Sequence, residues 1–108
     1  LSVDCRVDRL LEVRERLKAD GLAVSVNDFV LRAAASALRS VPEANASWTE
    51  AGIVRHERVD IAVAVALDEG LVTPVVRGVD TLGLAAIGAA VRDLAARARA
   101  GGLAPHEY

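Results

Sequence analysis

Two histidines, one cysteine and one adjacent pair of acids are the side chains of this 108-residue sequence with the plainest capacity for chemistry. His56 lies in Val54-Arg55-His56-Glu57-Arg58-Val59, a charged stretch that reads as strand surface rather than as the pocket of a proton-transferring base. His106 belongs to the terminal Pro105-His106-Glu107-Tyr108, where a fraying chain end cannot hold a base in register. The fifty residues between the two histidines give no metal-ligand pair. Cys5 is the only cysteine, which excludes an internal disulfide and a thiolate-rich metal centre, and it reads as a buried, inert thiol in a strand. Asp68 and Glu69 precede Gly70, and turn composition accounts for them without a general acid and base. No nucleophile elbow, dinucleotide-binding glycine fingerprint or phosphate-binding loop is present. Gly78, Gly83 and Gly88, spaced by five, read as caps and close-packing positions.

The elements that would have to position any site follow from periodicity. Leu1 to Cys5 alternates apolar and polar residues and predicts a short strand. Val7, Leu10, Leu11, Val13 and Leu17 predict a helix over Asp8–Ala19, with Asp8 as N-cap, Glu12 and Arg16 paired, and Asp20-Gly21 as the stop. Ser25 with Asp28 forms a capping-box start for an alanine-rich helix whose apolar stripe is Val26, Phe29, Val30, Ala33, Ala34, Ala37 and Leu38, ended by Pro42. A hairpin follows, with strands Ala46–Thr49 and Ile53–His56.

Val59 to Leu67 then runs almost without polar side chains and predicts a strand covered on both faces. It turns at Asp68-Glu69-Gly70 into a partner, Leu71 to Val76. Pro74 has no N–H to give a ladder, so a bulge or sheet margin is expected there. Leu84 to Ala100 predicts the last helix, and Leu103 to Tyr108 a polar exit without an element. Helices with mostly antiparallel strands and no βαβ alternation imply an α/β two-layer sandwich, with helices on a mixed, mostly antiparallel sheet.

Composition bounds the partners. The net charge is −2, and arginines alternate with acids instead of forming a basic stripe, so nucleic acid is not expected. No apolar run approaches the roughly 20 residues of a membrane span, and the charged N-terminal stretch lacks a signal peptide's apolar core, so neither membrane nor secretion is expected. A cytoplasmic setting follows. Hydrophobic residues make up 53% of the chain and mean hydropathy is +0.31, a high apolar share for so small a domain, which implies contact with another chain or segment.

Three stretches in order carry a family resemblance: Leu1 to Leu17; Val24 to Trp48, with Asn27-Asp28-Phe29 and Pro42-Glu43-Ala44-Asn45-Ala46; and Val59 to Ile87, with Gly70-Leu71-Val72-Thr73-Pro74-Val75. Together they resemble the first part of the catalytic domain of the dihydrolipoamide acyltransferases of 2-oxoacid dehydrogenase complexes. The resemblance implies a chloramphenicol acetyltransferase-like fold, here incomplete, with residues 1–108 as the N-terminal part of a single catalytic domain. It implies acyl transfer from dihydrolipoamide to coenzyme A, in pyruvate or branched-chain complexes. Coenzyme A would be a substrate, the lipoyl group would ride on a domain outside this chain, and no metal would take part. It further implies homotrimers building a larger core, with decarboxylase and dihydrolipoamide dehydrogenase as partner components.

In that family a histidine in a His-x-x-x-Asp-Gly motif takes the coenzyme A thiol proton and a serine hydroxyl stabilises the oxyanion. Neither motif occurs in residues 1–108, so no catalytic residue is assigned and the chain alone is expected to be inactive. Leu71, Val72, Thr73 and Pro74 are the candidates for a substrate channel or subunit contact. The competing reading is a non-enzymatic oligomerisation or scaffold module.

Overall fold

The computed structural model describes all 108 residues. Helix α1 spans Asp8–Ala19 and α2 Val26–Ser40; a single 3-10 turn, Pro42–Ala44, leads into strands β1 (Ala46–Thr49) and β2 (Gly52–Arg55). Strands β3 (Ile61–Ala62), β4 (Val65–Leu67), β5 (Gly70–Val72) and β6 (Val75–Val76) follow, then a 3-10 turn at Val79–Thr81, helix α3 (Leu84–Arg99) and a last 3-10 turn at Pro105–Glu107.

Helix α1 begins one residue earlier in its capping than the sequence suggests. Val7 is the N-cap and gives no side-chain bond; Asp8 is the first helical residue, where its charge suits the positive end of the helix. Gly21, at φ +85°, supplies the left-handed exit. The expected Glu12–Arg16 pair does not form; Arg14 instead donates from Nε to the Val24 carbonyl at 3.0 Å and ties α1 to the loop before α2. Residues before Val7 form no strand and lie exposed, so Cys5 is an exposed thiol and not the buried one expected.

The start of α2 is the capping box expected. Ser25 Oγ accepts from Asp28 N–H at 3.1 Å, and Asp28 Oδ2 accepts from Ser25 N–H at 2.8 Å. The face that α2 buries is not the expected stripe, however. Asp28, Leu31 and Ala35 are buried, while Val26, Val30, Ala33 and Ala37 are exposed. The helix is apolar on two sides, and sequence alone could not say which side meets α3.

Leu31 and Ala35 of α2 join Val59, Val76, Val79, Ile87 and Leu94 in one core. The helices approach closely where Asp28 meets Gly88: a Cβ at Gly88 would sit 2.8 Å from Asp28 Oδ2 and 3.0 Å from Arg92 Nη1.

The long apolar run and its partner form one antiparallel ribbon. Ile61 faces Val76, Ala62 faces Val75, Val65 faces Val72 and Leu67 faces Gly70, a register unbroken from end to end. Pro74 makes no bulge. Val63 donates to the Pro74 carbonyl at 2.9 Å, but proline has no N–H to return, so the ladder divides into β3–β6 and β4–β5. The expectation that this run is covered on both faces is overturned. Val59 and Val65 are buried and Ile61, Val63 and Leu67 half-buried on the inner face, whereas Ala62, Ala64 and Ala66 lie exposed on the outer one. Alanine counts as apolar, so the run looks uniform in sequence although its two faces differ in bulk.

The hairpin β1–β2 is the third pairing, with Trp48 opposite Ile53. The helices packing on the ribbon's inner face make an α/β arrangement, and every strand pairing in it is antiparallel.

Two substitutions test this account. Ser25→Ala should cost about 1 kcal/mol of stability through loss of the cap. Gly88→Leu should cost about 1–3 kcal/mol by forcing α3 away from Asp28. Urea denaturation followed by circular dichroism measures both, and an unchanged midpoint for either would refute the corresponding contact.

Candidate functional site

A convergence of arginines lies where α1, α3 and the start of α2 meet. A groove of about 460 Å³ is lined by Arg14, Ser25, Asp28, Arg92 and Arg99, with Val24 and Val91 as apolar walls. Arg14 and Arg92 reach in from different helices and bond the loop carbonyls of Val24 and Ala23 at 3.0 and 3.2 Å. Neither Arg92 nor Arg99 pairs with a carboxylate. Asp28, the acid in the groove, is committed to the cap. Three guanidinium groups lining one groove suit an anion with several oxygens, since arginine binds phosphate in forked geometry. Sequence reading missed this groove because its members are scattered over more than eighty residues and meet only when the helices cross.

The four candidate residues on the ribbon separate by face. Leu71, 64% exposed, and Thr73 open outward beside Ala62, Ala64 and Ala66, while Val72 is half-buried and the Pro74 ring fully buried on the inner face. The two-residue periodicity of a strand imposes that division.

His56 does not stand alone: its Nε2 is 2.8 Å from Ser47 Oγ across the exposed hairpin. His56 and Asp60 share the four-residue spacing of His-x-x-x-Asp-Gly, but Ile61 stands where the glycine belongs. Asp60 also turns elsewhere, accepting from Gly78 N–H at 2.8 Å and pairing with Arg77 and Arg58. Burial pushes the Asp60 carboxyl up, but the Gly78 amide and the two arginines outweigh it and hold the group below its usual range. Gly78 reaches that position at φ +58°, which only glycine adopts without strain. No cluster of three His, Cys, Asp or Glu side chains forms, and no helix is long and apolar enough to cross a membrane.

The C-terminal segment is ordered by charge rather than frayed. Arg97 bonds Glu107 through two nitrogens, at 2.6 and 2.8 Å, and Asp93 through Nε at 3.0 Å, while Arg77 donates to the His106 carbonyl at 2.8 Å. His106 is therefore held by its backbone and lies far along the chain from His56.

The profile of the 2-oxoacid dehydrogenases acyltransferase catalytic domain matches residues 1–108, the whole chain. The chain belongs to this family. A Dictyostelium discoideum relative, the mitochondrial dihydrolipoyllysine-residue acetyltransferase component of the pyruvate dehydrogenase complex, is 47% identical over 109 residues, covering 100% of this chain and 17% of that protein. The acetyltransferase component of the Rhizobium meliloti complex is 45% identical over 116 residues and is covered to 26% of its length.

Among solved structures, an Azotobacter vinelandii dihydrolipoamide acetyltransferase, investigated for the catalytic roles of a serine, a histidine and an asparagine, superposes with a TM-score of 0.88. Its identity is 31%, over 94% of this chain and 44% of that one. The cubic core of a pyruvate dehydrogenase multienzyme complex superposes equally well, with a TM-score of 0.88, 31% identity and the same coverage. The fold is thus the α/β fold of these acyltransferase cores, and the chain spans 17% and 26% of the length of the two curated relatives.

The Arg97–Glu107 clamp has a measurable pH signature. Bonds from Arg97, and then from the Ala104 amide, lower the Glu107 carboxyl from 4.5 to about 2. A carboxyl that titrates lower in the folded chain stabilises it fully above pH 4.5, and that contribution is lost as pH falls toward 2. The protection factor of the Glu107 amide, its exchange rate compared with that of an unstructured amide at the same pH, should therefore hold at pH 5 and fall over that window, and Glu107→Gln should remove the pH dependence. Constant protection from pH 5 to 2 would refute the clamp.

Proposed function

We propose that residues 1–108 form the N-terminal part of an acyltransferase catalytic domain that moves an acyl group from dihydrolipoamide to coenzyme A. The observation that carries this reading is the family match over the entire chain. The acyl group is acetyl, in keeping with the names of the two relatives above, and the branched-chain alternative has no such support. Trimers building a larger core, decarboxylase and dihydrolipoamide dehydrogenase partners, a lipoyl group carried on a separate domain and a cytoplasmic setting belong to the same proposal.

The groove between α1, α2 and α3 supports a specific division of labour. Coenzyme A carries its phosphates at one end and its thiol at the other, so a site with several guanidinium groups can hold the nucleotide end while the thiol reaches the reacting centre. Arg99 and Arg92 are the residues available for that contact, since neither forms an ion pair with a carboxylate. Leu71 and Thr73, on the open face of the ribbon, are the positions suited to a substrate channel or subunit contact, while Val72 and Pro74 support them from within.

In the reaction the coenzyme A thiol loses its proton to a base, the thiolate attacks the thioester carbonyl, and dihydrolipoamide leaves as the C–S bond breaks. The histidine and serine that the family uses for those steps are outside residues 1–108, so this segment binds and orients.

Acyl transfer is measured with the full-length protein, acetyl-dihydrolipoamide and coenzyme A. No transfer by folded, full-length protein would overturn the enzyme reading in favour of a scaffold. Arg99→Gln should raise KM for coenzyme A roughly tenfold, the loss of one charge-assisted hydrogen bond, with kcat and the KM for acetyl-dihydrolipoamide unchanged. An unaltered KM for coenzyme A would remove the groove from that role.

A further inference from the structure

The cap at the start of α2 uses only one oxygen of Asp28. The residue is 2% exposed, and its Oδ2 accepts from the Ser25 amide at 2.8 Å. Oδ1 accepts from no group of the chain, and since no buried side-chain oxygen is left without a partner, Oδ1 is the atom that Asp28 turns to solvent. The groove between α1, α2 and α3 is the one cavity that Asp28 lines, so that oxygen faces it. A carboxylate oxygen accepts hydrogen bonds and donates none, so only an N–H or O–H satisfies it there.

Arg92 stands beside this carboxylate. Asp28 Oδ2 and Arg92 Nη1 are 2.8 and 3.0 Å from one and the same point, where position 88 would carry a Cβ, yet the two side chains form no ion pair. Arg92 bonds only the Ala23 carbonyl, so most of its N–H groups stay open, and Arg14 and Arg99 line the same groove. An acceptor for a hydroxyl and donors for a phosphate thus sit side by side, within the span of neighbouring substituents on one sugar ring. The diphosphate of coenzyme A is flanked by methylene groups, which donate nothing, and its adenine amine is a whole nucleoside away from any phosphate. Its ribose carries a phosphate on the 3′ carbon directly beside a free hydroxyl on the 2′ carbon.

We propose that the groove takes the ribose edge of coenzyme A, with Asp28 Oδ1 accepting from the 2′-hydroxyl while Arg92, Arg14 and Arg99 hold the 3′-phosphate. This inference rests on the groove being the nucleotide site of the proposed function, and it adds which edge enters and which residue reads it. Asp28 is then the specificity residue. The arginines alone attract any polyanion, inorganic phosphate included, whereas the carboxylate repels a phosphate oxygen and admits a hydroxyl in its place. The cap serves binding as well as folding, because the Ser25 amide on Oδ2 fixes the side chain and leaves Oδ1 turned to the ligand.

Calorimetric titration of the full-length protein with adenosine 3′,5′-bisphosphate, its 2′-deoxy form and its 2′-fluoro form tests the assignment. The fluoro probe nearly keeps the size of the hydroxyl but donates nothing. Both modified probes should bind about tenfold more weakly than the parent, the loss of one hydrogen bond to a charged acceptor. In Asp28→Asn, which keeps an acceptor for the Ser25 amide and is checked for helix content by circular dichroism, the probes should bind within about threefold of one another. Equal binding of all the probes to the wild-type protein, with Arg99→Gln weakening them together, overturns the role of Asp28 and leaves the groove as the nucleotide site. Absence of binding, or binding that Arg99→Gln leaves unchanged, removes the groove itself and this inference with it. A fluoro probe as tight as the parent, or a full preference for the parent in Asp28→Asn, overturns the assignment too. Should Asp28→Asn fail to fold, the modified probes against the parent decide alone.

Discussion

The crossing of α2 and α3 governs the rest of the molecule. Asp28 is buried, closes the start of α2, and sits where a side chain at position 88 would have to be, so α3 approaches only because Gly88 has none. That approach brings Ile87 and Leu94 onto Leu31 and Ala35, and the same helix pair then presents one wall to the inner valines of the ribbon. A single close approach thereby fixes the distance at which the apolar contacts can form. It also fixes the groove: Arg92, one turn beyond Gly88, reaches the Ala23 carbonyl only from this position.

Much of this was legible in the sequence, and the reasons differ by element. The capping box at Ser25 and Asp28, the Trp48 hairpin and the three helices announce themselves locally, through residues close together in the chain. The family resemblance, carried by Asn27-Asp28-Phe29 and Gly70 to Val75, agrees with the match over residues 1–108. What the sequence hid was sidedness. The alanine-rich helix is apolar on opposite sides, and the run from Ile61 to Leu67 is apolar on both, so neither periodicity could say which side was inward. The arginine groove was hidden for a related reason, since its residues come from separate helices. The final segment read as loose because proline, histidine and glutamate there lack apolar neighbours, yet Arg97 supplies by charge the order that burial does not.

Function and architecture meet in the distribution of open surface. The chain keeps a compact inner core but leaves one side of α2, one side of the ribbon and both sides of the hairpin uncovered. The basic groove lies among the helices, and it meets the small-residue face of the ribbon where Arg99 and Ala66 line one shared cavity with Asp68 and Glu69.

The missing donor at Pro74 has a mechanical meaning. A continuous ladder opens as a unit, each bond supporting the next, but here a ring without an N–H sits midway along the ribbon. The turn half, Val65 to Val72, and the half that joins Ile61 to Val76 are therefore separate hydrogen-bonded units, each seated on α3. Proline at this point acts as a joint: packing on α3, rather than the ladder, holds the two halves in line.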